Sequence, residues 1–235
     1  MPRSIYLLIG WLLGSWAWGK TPVSDSQRIR ERIVGELLRE VPSTSTVELI
    51  LSQLTADGSF TTMQYDDLSR TAGFPHRFHT QNLVTLAKAY RSTVSSNELH
   101  ATLKTAIVRG LAYWVAHDFV GENWHDNQIS TPTNLGNLML LVGDELPKEL
   151  VEAAQSMIGR ANLSASGARQ SGDRIVIAGI LAKNLLFRAD YTAFGEVVKV
   201  IENEMRFATG ERGLQHDYSF HHRVDRVNNT SSYGY

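Results

Sequence analysis

From residue 24 onward, apolar residues recur three and four positions apart, the spacing of a single helical face. Ser24 or Asp25 caps a first segment carrying Ile29, Ile33, Val34, Leu37 and Leu38 on one side, and Pro42 ends it. A second segment begins at Ser45 or Thr46, runs through Leu54 and closes at Asp57-Gly58. Residues 58–75 hold scattered aromatics without a period and read as irregular. Helices are predicted over His79–Arg91, with Leu83, Leu86, Ala87 and Tyr90 inward, and over Glu98–His117, with Leu103, Ile107, Leu111, Trp114 and Val115 inward. Thr131-Pro132 opens the next, since proline suits a first turn, and Leu135, Leu138, Met139 and Val142 make its stripe up to Gly143-Asp144. Pro147 opens another through Ile158. A Ser-, Gly- and Ala-rich loop at 160–172 precedes helices over Asp173–Phe187 and Tyr191–Phe207.

No strand alternation of useful length is present, so the predicted class is all-α, built from antiparallel helix pairs with short connections. Helices of this size, with polar loops gathered at one end, suit an (α/α) toroid; periodicity alone leaves a bundle or a solenoid open. The first residues differ from the rest. Arg3 precedes a short apolar run, Ile5–Leu13, and Ala17-Trp18-Gly19 offers small residues where a signal peptidase cuts. Residues 1–19 are therefore expected to be a signal peptide and residues 20–235 the mature domain. The run is short for a bilayer span, so no membrane attachment is expected after cleavage. The destination would be the periplasm or the extracellular space.

Composition then excludes several classes. The 235 residues carry a formal charge of -1, which lacks the basic excess of a nucleic-acid binder. There is no cysteine, hence no disulfide, thiolate metal site or cysteine nucleophile. A local basic cleft for an acidic ligand remains compatible with this balance.

Three polar segments carry the candidate chemistry. Asn123-Trp124-His125-Asp126-Asn127-Gln128 lies between apolar helices; its tryptophan is either a ring over the core edge or a platform for a sugar face. Ser171-Gly172-Asp173-Arg174 precedes a helix, and a plain helix cap accounts for its aspartate. The tail concentrates proton-transfer groups, from Gly213-Leu214-Gln215-His216-Asp217-Tyr218-Ser219-Phe220-His221-His222-Arg223 to Ser231-Ser232-Tyr233-Gly234. Helical metal-ligand spacing is missing there, so acid–base chemistry fits better than a metal site.

At these residues the chain resembles polysaccharide lyase family 8, which includes chondroitin AC, hyaluronate and xanthan lyases. Asn123-Trp124 with Asn127-Gln128-Ile129 and Thr131-Pro132, then Gly213-Leu214-Gln215 with Asp217-Tyr218-Ser219, then Ser231-Ser232-Tyr233-Gly234 carry the resemblance in order. It implies a helical toroid, β-elimination on a uronate polysaccharide such as chondroitin or hyaluronan, no metal or organic cofactor, and a monomer. It places His222 and Tyr233 in the catalytic cleft, with His221 as rival imidazole. The family's cleft asparagine falls on Asp173, a departure, because an ionised aspartate repels a substrate carboxylate. Substrate contacts are expected from Asn123, Trp124, His125, Asn127, Arg174, His221 and Arg223. The family also uses an arginine and a glutamate from later helices and a C-terminal β-sandwich, so the expectation is an incomplete toroid from a longer lyase. Two other classes stay open. An α/α-barrel glycoside hydrolase would draw on Glu122, Asp126 and Asp217 as paired carboxylates, and a non-catalytic carbohydrate-binding chain would need neither set.

Overall fold

The computed structural model describes residues 24–93, 98–165, 168, 172–210 and 213–221. Among these residues eight α-helices follow one another: α1 Asp25–Leu37, α2 Thr44–Gln53, α3 Arg77–Ser92, α4 Glu98–His117, α5 Thr131–Val142, α6 Lys148–Ile158, α7 Gly172–Phe187 and α8 Tyr191–Glu204. A two-stranded antiparallel ribbon, β1 Gly213–Leu214 and β2 Phe220–His221, comes after them. The all-α class holds.

The starts differ from the sequence expectation where local chemistry intervenes. Ser43, not Ser45 or Thr46, caps α2, its Oγ accepting the Thr46 N–H at 3.2 Å. α3 begins two residues before His79, because Pro75 presets φ for a first turn. α5 opens at Thr131 with Pro132 in its first turn, as expected, but helical backbone already runs into it from Trp124, through a π turn at Asp126–Ser130 in which the Thr131 N–H reaches the Asp126 carbonyl. Pro132 explains the widening, since a proline ring collides with the carbonyl four residues back in a tight α turn. The ribbon was not expected either, because two-residue strands show no alternation.

Cross-helix bonds set the directions. The Asn134 Nδ2 donates to Thr80 Oγ1 at 2.9 Å, and farther along Tyr90 donates to Glu145, so α3 and α5 run the same way. Lys183 Nζ donates to Asn137 Oδ1 at 2.9 Å and Phe187 sits over Gly143, so α7 runs with them. α8 returns beside α7, with Arg174 Nε 3.2 Å from Glu204 Oε1. Arg160 of the α6 end pairs with Asp118 of the α4 end. The result is two rows: α3, α5 and α7 parallel, and α4, α6 and α8 opposed to them. The core lies between the rows, where Leu83, Leu86, Leu103, Ile107, Leu111, Trp114, Leu135, Leu138, Met139 and Ile177 are fully buried. α5 is buried on nearly every side, and its low amphipathicity is what a central helix requires.

The irregular 58–75 segment is tied down by one phenol. Tyr65 accepts the Phe60 N–H at 3.0 Å and donates to His79 Nδ1 at 2.8 Å, while His79 Nε2 donates to the Gly110 carbonyl at 2.8 Å. The carbonyl can only accept, which fixes the proton on Nε2. Among the described residues no helix is long and apolar enough to cross a membrane.

Candidate functional site

The parity of the helices brings the N-terminal ends of α3, α5 and α7 to one end of the rows. The segments at 58–75, 118–125, 205–210 and 213–221 emerge there. Asn123, Trp124 and His125 form the turn that enters the π segment. Asn123 Oδ1 accepts the His125 N–H at 3.2 Å, and its carbonyl accepts the Asp126 N–H at 3.1 Å, so the asparagine shapes its own turn. The half-buried Trp124 ring packs against the core edge and meets the exposed His125 ring edge-on at 5.6 Å. Asn127 bonds backbone with both halves of its amide: Oδ1 accepts the Gly121 N–H at 3.0 Å and Nδ2 donates to the Gly121 carbonyl at 2.7 Å. Its side chain therefore positions the loop that presents Trp124.

Asp173 stands in the first turn of α7, half-buried, where an acidic side chain suits the helix dipole. Arg174 beside it pairs with Glu204, whose side chain is only 9% exposed, and its Nη1 donates to the Leu163 carbonyl at 3.4 Å. Arg174, Val200, Asn203 and Glu204 line a cleft of about 360 Å³ at this same end. Sequence reasoning found Arg174 but not Glu204 or Asn203. The only available signal was antiparallel pairing of α7 with α8, which carries residue 204 across to residue 174.

The tail ribbon leaves from the end of α8. Gly213 pairs with His221 and Leu214 with Phe220, leaving His221 half-buried. Asp217 accepts from Ser219 Oγ at 2.6 Å and from the Ser219 N–H at 3.0 Å, and these bonds hold its carboxyl below the usual range. His222, Arg223 and Tyr233 lie outside the described residues, as do Ser171 and the expected leader at 1–19.

The carboxylates considered for glycoside hydrolysis are differently placed. Asp126 is 4% exposed, and Glu122 accepts the Arg70 N–H at 3.0 Å. A larger cleft of about 430 Å³, bordered by Arg30, Arg91, Leu141, Asp144 and Glu145, lies at the opposite end of α3 and α5. It is remote from every candidate named above. Among the described residues, no group of three or more His, Asp or Glu is placed to hold a metal ion.

Residues 21–235 match the model of the N-terminal α-helical domain of polysaccharide lyase family 8. The chain belongs to that family. The lyase-8 chain is 26% identical over 211 residues to a chondroitinase-AC of Pedobacter heparinus, covering 89% of itself and 30% of that relative. It thus spans less than a third of the relative's length. Its fold superposes on a solved chondroitinase AC lyase with a TM-score of 0.72 at 26% identity, over 83% of this chain and 29% of the other. A Paenibacillus xanthan lyase shares the fold at a TM-score of 0.66 and 19% identity, over 83% of this chain and 20% of that one. The lyase-8 chain is therefore the helical arc of an (α/α) toroid.

Proposed function

We propose that this chain is the N-terminal helical part of an exported lyase that cleaves a uronate-containing, glycosaminoglycan-like polysaccharide by β-elimination. The observation that carries the proposal is the gathering of the Asn123–His125 turn, Asp173, the Arg174 cleft and the tail ribbon at one end of three parallel helices. Family membership over residues 21–235, and the action of the chondroitinase relatives on polysaccharide, support the same reaction class.

The chemistry asks three things of the site. A base must take the C5 proton of the uronate, the charge that develops on the carboxylate must be met, and an acid must protonate the glycosidic oxygen as the C4–O bond breaks. The electron pair of the C5–H bond becomes the C4=C5 double bond, giving a 4,5-unsaturated uronate and a new alcohol end. Tyr233 takes the role of base and then acid, and His222 assists; Arg223 and Arg226 supply the positive charge that brings a phenol's pKa of about 10 toward neutrality. Arg174 meets the sugar carboxylate, and Trp124 offers its face to a pyranose. Residues 1–19 direct export. No step calls for a metal or organic cofactor.

The test is to incubate the chain with chondroitin, hyaluronan and xanthan and follow the ultraviolet absorbance of unsaturated uronate. Product on one of them, abolished in Tyr233→Phe with binding retained, supports the proposal. Saturable binding without product leaves a carbohydrate-binding chain, and a new reducing end without the double bond means hydrolysis.

A further inference from the structure

The tail ribbon closes with a three-residue loop. Gln215 N–H donates to the Ser219 carbonyl at 2.8 Å, and Tyr218 N–H donates to the Gln215 carbonyl at 2.9 Å. Such a loop is a type I turn followed by one residue in the left-handed region, a place that favours glycine or asparagine. Here Tyr218 occupies it with φ 66°, a conformation that a bulky side chain adopts only against steric resistance. Burial does not offset that resistance, because Tyr218 is 79% exposed. The phenol instead meets the ring of Phe207 edge-on at 5.6 Å and 70°, and Phe207 stacks face-to-face on His216 at 4.9 Å and 8°. Phe207 is itself 45% exposed. Three rings thus form a cluster open to solvent, on a segment tied to the ribbon by the Ala208 N–H donating to the Leu214 carbonyl at 2.7 Å.

The neighbourhood says what would lie on it. Phe207 follows Glu204 by three residues, at most about 11 Å of extended chain, so the cluster stands beside the Arg174–Asn203–Glu204 cleft. A pyranose has a C–H face that packs on aromatic rings and hydroxyls that need polar partners, and this pairing of platform and polar cleft offers both. Asp217, the acidic group of the loop, has its carboxylate turned onto Ser219, which satisfies part of its charge within the turn.

Resting on the lyase reading above, we propose that Phe207, His216 and Tyr218 form a sugar-stacking subsite that holds one pyranose ring of the acidic polysaccharide beside the Arg174 cleft. Tyr218 is the ring that matters most, since the loop accepts it against its own conformational preference.

The test measures dissociation constants for chondroitin sulfate, hyaluronan and xanthan by calorimetry, with thermal melts, for the chain and for Tyr218→Gly, Tyr218→Phe and Phe207→Leu. Tyr218→Gly should hold or raise the melting temperature, because glycine suits the left-handed position, while weakening the preferred polymer about tenfold. Tyr218→Phe keeps the ring and should bind within about twofold of wild type; Phe207→Leu should weaken binding about fivefold. Wild type that binds, with Tyr218→Gly binding equally well, overturns the subsite and leaves the lyase proposal standing. Wild type that binds none of the three polymers overturns both.

Discussion

The side chain of Asn127 forms a two-bond ring with the backbone of Gly121, accepting at 3.0 Å and donating at 2.7 Å. Gly121 is itself buried, and a Cβ there would come within 2.8 Å of the Phe74 ring. The loop before the π turn is therefore held from both sides, by an amide below and an aromatic above. An asparagine in a candidate sugar-binding motif here does structural work first: it fixes where Trp124 stands.

Asn127→Asp removes the donor and sets a carboxylate against the Gly121 carbonyl; Asn127→Ala removes both bonds and leaves the buried Gly121 N–H without its acceptor. Each variant should lose about 2 kcal/mol of stability in urea denaturation. Because the loop carries Trp124, polysaccharide binding should weaken in parallel. Unchanged stability in Asn127→Ala would show that the ring contributes nothing.

Much of the fold is legible in the sequence, and the exceptions have physical causes. Leu135, Leu138, Met139 and Val142 mark α5 because helical spacing persists wherever the helix is packed. The π turn escapes notice because Pro132 looks the same at a fresh helix start and just after a widened turn. The tail ribbon escapes because strands as short as Gly213–Leu214 and Phe220–His221 carry no period. In the site, Trp124, Asp173 and Arg174 stand out as polar or aromatic residues at the ends of apolar helices. The ion pair of Arg174 with Glu204 spans thirty positions, and only the α7–α8 pairing creates it. Phe207 and Tyr218 look ordinary in the sequence; their exposure and the positive φ of Tyr218 set them apart.

His79 makes stability depend on pH. The imidazole is fully buried, and burial lowers its pKa from 6.5 to about 4. Below pH 6.5 the unfolded chain takes up a proton that the folded chain refuses, so the unfolded state binds more protons and stability falls as pH falls. The loss is absent above about pH 7, grows from pH 6.5 downward and is complete near pH 4, where it reaches about 3 kcal/mol. Denaturation curves between pH 7.5 and 4.5 should show this slope, and His79→Gln should flatten it. An equal slope in His79→Gln would assign the pH dependence to other groups.

Two glycines separate backbone conformation from crowding. Gly58 has φ 98°, and a Cβ there would lie inside the Arg109 carbonyl and 2.9 Å from the Tyr113 Cβ. Gly73 has φ 69° with nothing within 4 Å of its would-be Cβ. Gly73→Ala should therefore cost only the conformational penalty, about 1 kcal/mol, and Gly58→Ala more than about 3 kcal/mol. Thermal melts decide it; equal losses would mean that the contact with α4 relaxes freely.

Asp173 stands where the resemblance places an asparagine, and its substitution separates two roles. As a residue of the first turn of α7 it gains from the helix dipole, so Asp173→Asn should cost about 0.5 kcal/mol of stability. The place that the resemblance gives it, beside a substrate carboxylate, would set like charge against like, so the same change should tighten binding of an acidic polysaccharide. Two partly solvated charges about 5 Å apart repel by roughly 1–3 kcal/mol at an effective dielectric of 20–80, which corresponds to a gain of about tenfold. The gain should shrink in high salt, because screening weakens repulsion between exposed groups. Calorimetry at low and high salt, on wild type and Asp173→Asn, checks both signs at once. Lower stability with unchanged affinity at low salt would reduce Asp173 to a helix-end residue and remove it from the cleft.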